Sequence, residues 1–143
     1  NGKTIEEFES SVVKSSMCSD ATLKGIRECL HDVVWNDTLG TASVNPWGTR
    51  KAQSDLVAIA GKTGTAQILE KGYSNRRHRM SFVGYFPEEN PQYSCICVIH
   101  GPQWPYDAGM DCGSVVRHIA EKTMAYAGEY VIEDGELVMV VKE

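Results

Sequence analysis

The 143-residue sequence lacks the marks of several large classes of protein. It contains no uninterrupted apolar run approaching the roughly 18 residues that a membrane-spanning helix needs. Its net charge of −5 leaves no basic excess, which argues against general nucleic-acid binding. Residues 1–4 (NGKT) do not resemble a signal peptide. We therefore expect any targeting or anchoring segment of an exported parent protein to lie outside this chain.

The sequence also has few cysteines, and their number is odd. The five cysteines are scattered at positions 18, 29, 95, 97 and 112, which does not fit a disulfide framework. We expect buried free thiols, and cysteine usage indicates no compartment. Cys95, Cys97 and His100 are spaced as Cys-x-Cys-x-x-His, but a strand would send the histidine to the opposite face. No second ligand pair follows at zinc-site spacing, so we predict no metal and no cofactor.

What is present is typical of one globular domain. Hydrophobic residues make up 42% of the chain and charged residues 23%. We predict a single domain over residues 1–143, with a core segment at 12–127 and a tail at 128–143. The tail holds Asp134 and Gly135 between apolar-rich segments, which is a hairpin signal.

Hydrophobic periodicity predicts two helices and three strands. The first helix begins after a Ser19 N-cap and ends near Trp35. A loop over 36–54 separates it from strands predicted at about 56–69, 80–86 and 93–100. The second helix covers about 112–127, and an edge strand is possible at 4–8. Short connections favour antiparallel neighbours, so we predict an α+β fold with helices packed on one face of an antiparallel sheet.

The connection predicted at 70–79 carries a cluster of basic side chains. These residues are Arg76, Arg77, His78 and Arg79. They could meet an anionic partner, but a solvated loop is the more ordinary interpretation. Trp104 and Tyr106, near the second helix, could line a cleft or cover the edge of the core.

The segment 61–67 (GKTGTAQ) carries the clearest chemical signal, because it follows the apolar run at 56–60. Lys62 offers a fixed cation, while Thr63 and Thr65 offer hydroxyls. The backbone N–H of Thr65 could face a developing oxyanion, and Gly64 allows another backbone to approach. An ideal strand separates Lys62 and Gly64 from the two threonines, so a site needs strand twist or a sheet edge. The alternative is a solvated strand end with a glycine turn.

This segment resembles the third, Lys-Thr-Gly motif of the penicillin-recognising acyl-serine enzymes. The extended form GKTGTAQ is similar to the class B penicillin-binding proteins in particular. Four more segments agree with that family: 19–23 (SDATL), 40–42 (GTA), 81–87 (SFVGYFP) and 90–91 (NP). The resemblance covers about residues 12–127 and implies part of a penicillin-binding/β-lactamase-like transpeptidase fold.

The resemblance implies an enzyme that cross-links peptidoglycan stem peptides through an acyl-serine and is trapped by β-lactams. It assigns catalytic roles to Lys62 and Thr65, and substrate binding to Thr63, Gly64 and Thr65. It also implies a membrane-anchored parent acting outside the cytoplasm, at the periplasmic face of the inner membrane. A β-lactam-sensing receptor domain and a serine β-lactamase remain as alternatives.

Two short segments match the family's other motifs, but we interpret both matches as chance. Residues 11–14 (SVVK) fit Ser-x-x-Lys, yet no long apolar helix begins there. Residues 43–45 (SVN) fit Ser-x-Asn, but Asn45 is only 17 positions before Lys62, far closer than in the family. We therefore predict the C-terminal part of a transpeptidase domain, inactive alone, with the nucleophile elsewhere in the parent. An incomplete sheet would leave an exposed edge through which the chain could self-associate.

Overall fold

The computed structural model describes residues 11–68, 77–102 and 106–127, together with the backbone of 130–133 and 136–139. Within these ranges the elements are α1 (Asp20–Trp35), β1 (Ala60–Ile68), β2 (Arg77–Phe86), β3 (Tyr93–His100), α2 (Ser114–Tyr126), β4 (Tyr130–Glu133) and β5 (Glu136–Met139). Strands β1, β2 and β3 form an antiparallel sheet in that order. The predicted α+β class is confirmed, and the possible strand at 4–8 lies outside the described residues.

Helix α1 begins and ends where the sequence predicts. Ser19 has an extended backbone, and its hydroxyl accepts a hydrogen bond from the Thr22 N–H at 3.2 Å, which confirms the N-cap. Asp20 places a negative charge in the first turn, where the helix dipole favours it. Val34 is fully buried, whereas Leu23 and Ile26 stay partly exposed. The C-terminal end of α1 therefore joins the core.

The two faces of the sheet have different surroundings. On one, which we call the inner face, Met80, Phe82 and Phe86 are almost completely buried in a core shared with α2. The core residues from α2 are Val116, Ala120 and Met124. On the opposite, outer face, Val83, Ile96 and Val98 are 47%, 64% and 51% exposed. The helices of the described chain thus cover one side of the sheet.

Strand β1 begins at Ala60, four residues later than predicted at Leu56. Val57 and Ile59 are buried without being in a strand. The Ile59 carbonyl accepts from the Trp35 indole N–H, and the Ala58 carbonyl accepts from the Glu88 N–H, both at 2.9 Å. The apolar run therefore reports burial of an irregular segment, tied down from two sides, rather than a longer strand.

Strand β2 begins at Arg77, so the loop predicted up to residue 79 is wrong over its last three residues. Arg77 pairs with Ile68, and Arg79 pairs with Ala66 on one side and His100 on the other. Both arginines are exposed, whereas His78 is half-buried. Alternation with solvent-facing arginines made this strand look like a charged loop. Arg76 lies outside the described residues.

A single π-helical turn, Gly109–Gly113, leads directly into α2, so the helical segment begins three residues before the predicted start at Cys112. All five cysteines are free, as expected, but only Cys112 is buried and Cys29 is exposed, so the prediction of buried thiols is wrong for most of them. Burial raises the pKa of Cys112 to about 11. In the tail, β4 pairs with β5 in antiparallel orientation. Asp134 and Gly135, on which the hairpin prediction rests, lie outside the described residues. None of the helices described has the length and apolar character to cross a membrane.

Candidate functional site

A groove of about 250 Å³ lies beside β1, on the side of the sheet where α2 begins. Its lining residues are Thr41, Thr63, Thr65, Tyr106, Asp107, Ala108 and Gly109. Strand β1 is at the end of the three-stranded sheet, so its second edge has no neighbouring strand among the described residues. The groove therefore combines three threonine hydroxyls and a tyrosine hydroxyl with a strand edge that can still form backbone hydrogen bonds.

Lys62 reaches the groove residues although it starts on the opposite face. Its cross-strand partner is Val83 of the outer face, whereas Thr63 pairs with Phe82 of the inner face. The Lys62 ammonium nevertheless donates to the Thr63 carbonyl at 2.9 Å and lies 3.5 Å from the Thr63 hydroxyl. The flexible side chain thus wraps around the edge of β1. It brings the Lys62 ammonium to Thr63, although ideal strand alternation places the two residues on opposite faces.

The three threonine hydroxyls do not act independently. The Thr41 and Thr63 hydroxyl oxygens lie 2.7 Å apart, and either can donate to the other. Thr65 lies two residues further along β1, is exposed and lines the same groove. Together with the Lys62 ammonium these groups suit a carboxylate, because it accepts several hydrogen bonds and is favoured by a nearby positive charge.

Gly64 lies away from this cluster. It pairs with Ser81, and a Cβ added at Gly64 would lie 2.6 Å from the Ser81 hydroxyl oxygen. The glycine therefore accommodates a neighbouring side chain on the outer face. The approach of a second backbone at Gly64 stays a prediction.

Two charged residues beside the groove, Lys51 and Asp107, were not identified from the sequence. The Lys51 side chain is only 11% exposed, and its ammonium lies 2.7 Å from the Asp107 carboxylate. Lys51 also donates to the Thr41 carbonyl at 3.2 Å. Asp107 accepts from the backbone N–H groups of Gly109 and Met110, at 2.8 and 3.1 Å. An aspartate just before a helical segment is a capping signal that could have been found, but nothing in the polar loop marks Lys51.

The environment of Asp107 favours its charged form. Burial raises the pKa of its carboxyl group, but hydrogen bonds from Lys51, Met110 and Gly109 together outweigh that effect. The pKa of Asp107 consequently lies below its ordinary value of 3.8. The Asp107 carboxylate is therefore ionised at neutral pH, and it lies against the Lys51 ammonium.

The residues whose spacing matches the family's Ser-x-x-Lys and Ser-x-Asn motifs have surroundings different from those of the groove residues. Residues 11–14 are exposed and precede α1 without any helix of their own. Ser43 is fully buried and donates to the Gly40 carbonyl at 3.1 Å. The Asn45 carboxamide accepts from the N–H groups of Trp47 and Thr49, which closes a turn. None of them lines the groove, which agrees with the interpretation that both matches are chance.

The Cys-x-Cys-x-x-His spacing does not form a cluster. Cys95 and Cys97 pack against the core, while His100 is exposed beside the Arg79 guanidinium. Among the described residues, no three side chains of the His, Cys, Asp or Glu type stand where they could hold a metal ion together. Tyr106 packs against the core and also lines the groove, with its hydroxyl beside His78 Nδ1.

Comparison with known proteins agrees with this geometry. Residues 3–125 match the family model of the penicillin-binding protein transpeptidase domain, so the chain belongs to that family. A peptidoglycan D,D-transpeptidase FtsI homolog from Chlorokybus atmophyticus is 35% identical over 106 residues, which cover 72% of this chain and 14% of that protein. Stage V sporulation protein D from Bacillus subtilis is 30% identical over 123 residues, covering 85% and 17%.

A solved structure gives the same answer for the fold. The transpeptidase domain of the FtsI4 D,D-transpeptidase from Legionella pneumophila superposes with a TM-score of 0.56 at 26% identity. The match covers 74% of this chain and 36% of that domain structure. The chain thus spans less than a fifth of the length of these two curated relatives and about a third of the solved domain.

Proposed function

We propose that this chain is part of a peptidoglycan D,D-transpeptidase and supplies the wall of its active site that holds the substrate carboxylate and the oxyanion. The observation that carries the proposal is the convergence of the Lys62 ammonium and the hydroxyls of Thr63 and Thr65 at the open edge of β1. The Chlorokybus atmophyticus relative and the Legionella pneumophila domain are named as D,D-transpeptidases, so a β-lactam sensor and a serine β-lactamase are not favoured.

The proposed reaction is the one that the resemblance to the penicillin-binding proteins implies. A serine elsewhere in the parent domain attacks the penultimate D-alanine carbonyl of a stem peptide. Its carbonyl oxygen then carries negative charge, and the Thr65 N–H is the donor that this chain offers to it. The C–N bond breaks, and the terminal D-alanine leaves as an amine that takes up the proton given up by the serine hydroxyl. An amine of a second stem peptide then attacks the acyl-serine, the ester C–O bond breaks, and the proton lost by that amine returns to the serine. A β-lactam acylates the same serine but leaves it blocked.

In this mechanism the chain contributes binding and electrostatics. Lys62 and Thr65 have the catalytic roles, through positive charge and oxyanion stabilisation. The hydroxyls of Thr63 and Thr65 bind the terminal carboxylate of the substrate. The peptide lies along the open edge of β1, as in other cases where an extended peptide adds to a sheet. Gly64 helps by keeping this part of the strand free of a side chain.

The proposal extends to the location of the parent protein and to the behaviour of the isolated chain. Peptidoglycan cross-linking takes place outside the cytoplasm, so the parent acts there, anchored to the periplasmic face of the inner membrane through a segment beyond this chain. We expect the isolated chain to be inactive, because the proposed nucleophilic serine belongs to another part of the parent. Among the described residues nothing covers the outer face and no strand pairs with the second edge of β3, which favours self-association. Light scattering over a range of concentrations would detect it.

A fluorescent penicillin tests the proposal directly. We expect no covalent labelling of the isolated chain, and labelling of the longer parent protein at a serine outside residues 1–143. Lys62→Ala in the parent should slow labelling by at least about tenfold, because a charged hydrogen-bond donor is lost from the site. Lys24→Ala, on the exposed surface of α1, is the matched control. Labelling at Ser11 or Ser43, or an unlabelled parent, would refute the proposal.

A further inference from the structure

We propose that Lys51 and Asp107 form a positioning pair that makes the groove selective for a carboxylate, an inference that rests on the proposed function. Lys51 has two tasks in this proposal. It holds the Thr41 segment against the beginning of the helical segment that leads into α2, and it neutralises a carboxylate that otherwise faces the substrate.

The geometry of the first task connects both walls of the groove. The Lys51 ammonium bonds to the Thr41 carbonyl on one wall and to the Asp107 carboxylate on the other. Thr41 in turn holds the Thr63 hydroxyl at 2.7 Å. The same Thr41 carbonyl would lie 2.2 Å from a Cβ at Gly109, so the two walls are in close contact there. A shift of Lys51 therefore reaches Thr63 through a single intervening residue.

The second task concerns charge. Asp107 lines the groove, and its side chain is 44% exposed. Its carboxylate is ionised at neutral pH and would repel an incoming carboxylate if it stood alone. Lys51, at 2.7 Å, cancels that charge from the buried side. The positive charge of Lys62 then acts on the substrate without a competing negative charge in the groove wall.

A role of Lys51 in stability alone explains this arrangement less well than the positioning role does. Burying an ammonium costs solvation energy, and apolar side chains often stabilise a core more effectively than a buried ion pair does. Here the ion pair stands at the groove that Thr63 and Thr65 of the Lys-Thr-Gly segment line. Because Lys51 does not line the groove itself, we assign it a positioning role and no direct contact with substrate.

The test uses the parent protein and two ligands that differ in one charge, benzylpenicillin and its methyl ester. We expect Lys51→Met to lower the second-order rate of acylation by benzylpenicillin about tenfold or more, and the rate with the ester less than about threefold. The double variant Lys51→Met/Asp107→Asn should recover part of the benzylpenicillin rate, because the uncompensated carboxylate is gone. A role in folding alone would slow both ligands equally and would give no recovery.

Two variants keep the test decisive if Lys51→Met does not fold. Thr41→Val removes the hydroxyl that holds Thr63 and should lower the benzylpenicillin-to-ester rate ratio, whereas Thr41→Ser should preserve it. Thr38→Val, an exposed threonine of the same loop, is the control and should change neither rate. An unchanged ratio in Thr41→Val or in a folded Lys51→Met overturns this inference while the proposed function stands. A wild-type parent that neither ligand acylates overturns both.

Discussion

The inner and outer faces of the sheet come from the same three strands, yet they end in opposite environments. On the inner face Met80 and Phe82 are 0% exposed, while Ile96 and Val98 on the outer face are 64% and 51% exposed. Both faces carry apolar side chains, so alternation alone does not distinguish them. The difference lies in what the described chain provides: α2 and the end of α1 cover one side. An apolar strand face therefore indicates that a cover exists, without indicating that it belongs to the same segment.

Two isoleucines sharpen this comparison most strongly. Ile59 belongs to the same core as Met80 and Phe82 and is fully buried, whereas Ile96 is on the outer face. We expect Ile59→Ala to lower the free energy of unfolding by about 2–5 kcal/mol, through lost burial and a cavity. Ile96→Ala should cost less than about 1 kcal/mol, since the side chain is mostly solvated.

Urea unfolding of the isolated chain, followed by circular dichroism at low concentration, measures both values. Equal losses for the two variants would break the comparison, because they would mean that the outer face is covered in solution. A loss at Ile96 that appears only at high protein concentration would indicate self-association through that face.

Two glycines give effects of opposite sign and intermediate size. A Cβ at Gly109 would lie 2.2 Å from the Thr41 carbonyl oxygen, whereas a Cβ at Gly25 meets nothing within 4 Å. Gly109→Ala should therefore destabilise the chain by about 1–3 kcal/mol through overpacking beside the groove. Gly25→Ala, inside α1, should stabilise it by about 0.5–1 kcal/mol through reduced backbone entropy of the unfolded state. Thermal unfolding distinguishes them, and a stable Gly109→Ala variant would contradict the close approach of the groove walls.

A smaller effect is expected at Asp107, in the dependence of the free energy of unfolding on pH. The pKa of Asp107 is lowered in the folded chain, so its contribution is present above the ordinary value of 3.8 and is lost as the pH falls through the lower folded value. Because the side chain is 44% exposed, solvent screening keeps the contribution to about 1 kcal/mol or less. The difference in stability between wild type and Asp107→Asn should therefore shrink below pH 3.8. A difference that is constant from pH 7 to acid would show that the charge of Asp107 has no part in it.

Local signals in the sequence predicted most of the fold. Ser19 marked the start of α1, and alternation between the turn after Phe86 and Gly101 gave β3 at its observed bounds. The errors arose where contacts between segments distant in sequence determine the local structure. Residues 56–59 are apolar because they enter the core, and their carbonyls bond to α1 and to the turn at Glu88, which no periodicity reports. Arg77 and Arg79 belong to a strand because Ile68, Ala66 and His100 pair with them.

The motif residues of the site could be predicted from the sequence, but the residues that hold them in place could not. Lys62, Thr63 and Thr65 were identified because they follow one another along a single strand. Thr41, Lys51 and Asp107 meet them from two loops that are far apart in sequence, and their types are common in any polar loop. Short motifs therefore find the residues that face a substrate, while the residues that hold them in place require the fold.

The contact between Trp35 and the start of β1 has an experimental consequence. The Trp35 indole N–H is bonded to the Ile59 carbonyl, and the half-buried ring stacks near His31, whereas Trp47 is 86% exposed. The sequence has three tryptophans, so replacing Trp47 and Trp104 by phenylalanine leaves Trp35 as the single tryptophan, which can be excited selectively over the six tyrosines. Its emission would shift to longer wavelength when the indole leaves that carbonyl for water. The chain thus contains its own optical reporter for whether the strand that carries Lys62 and Thr63 is docked.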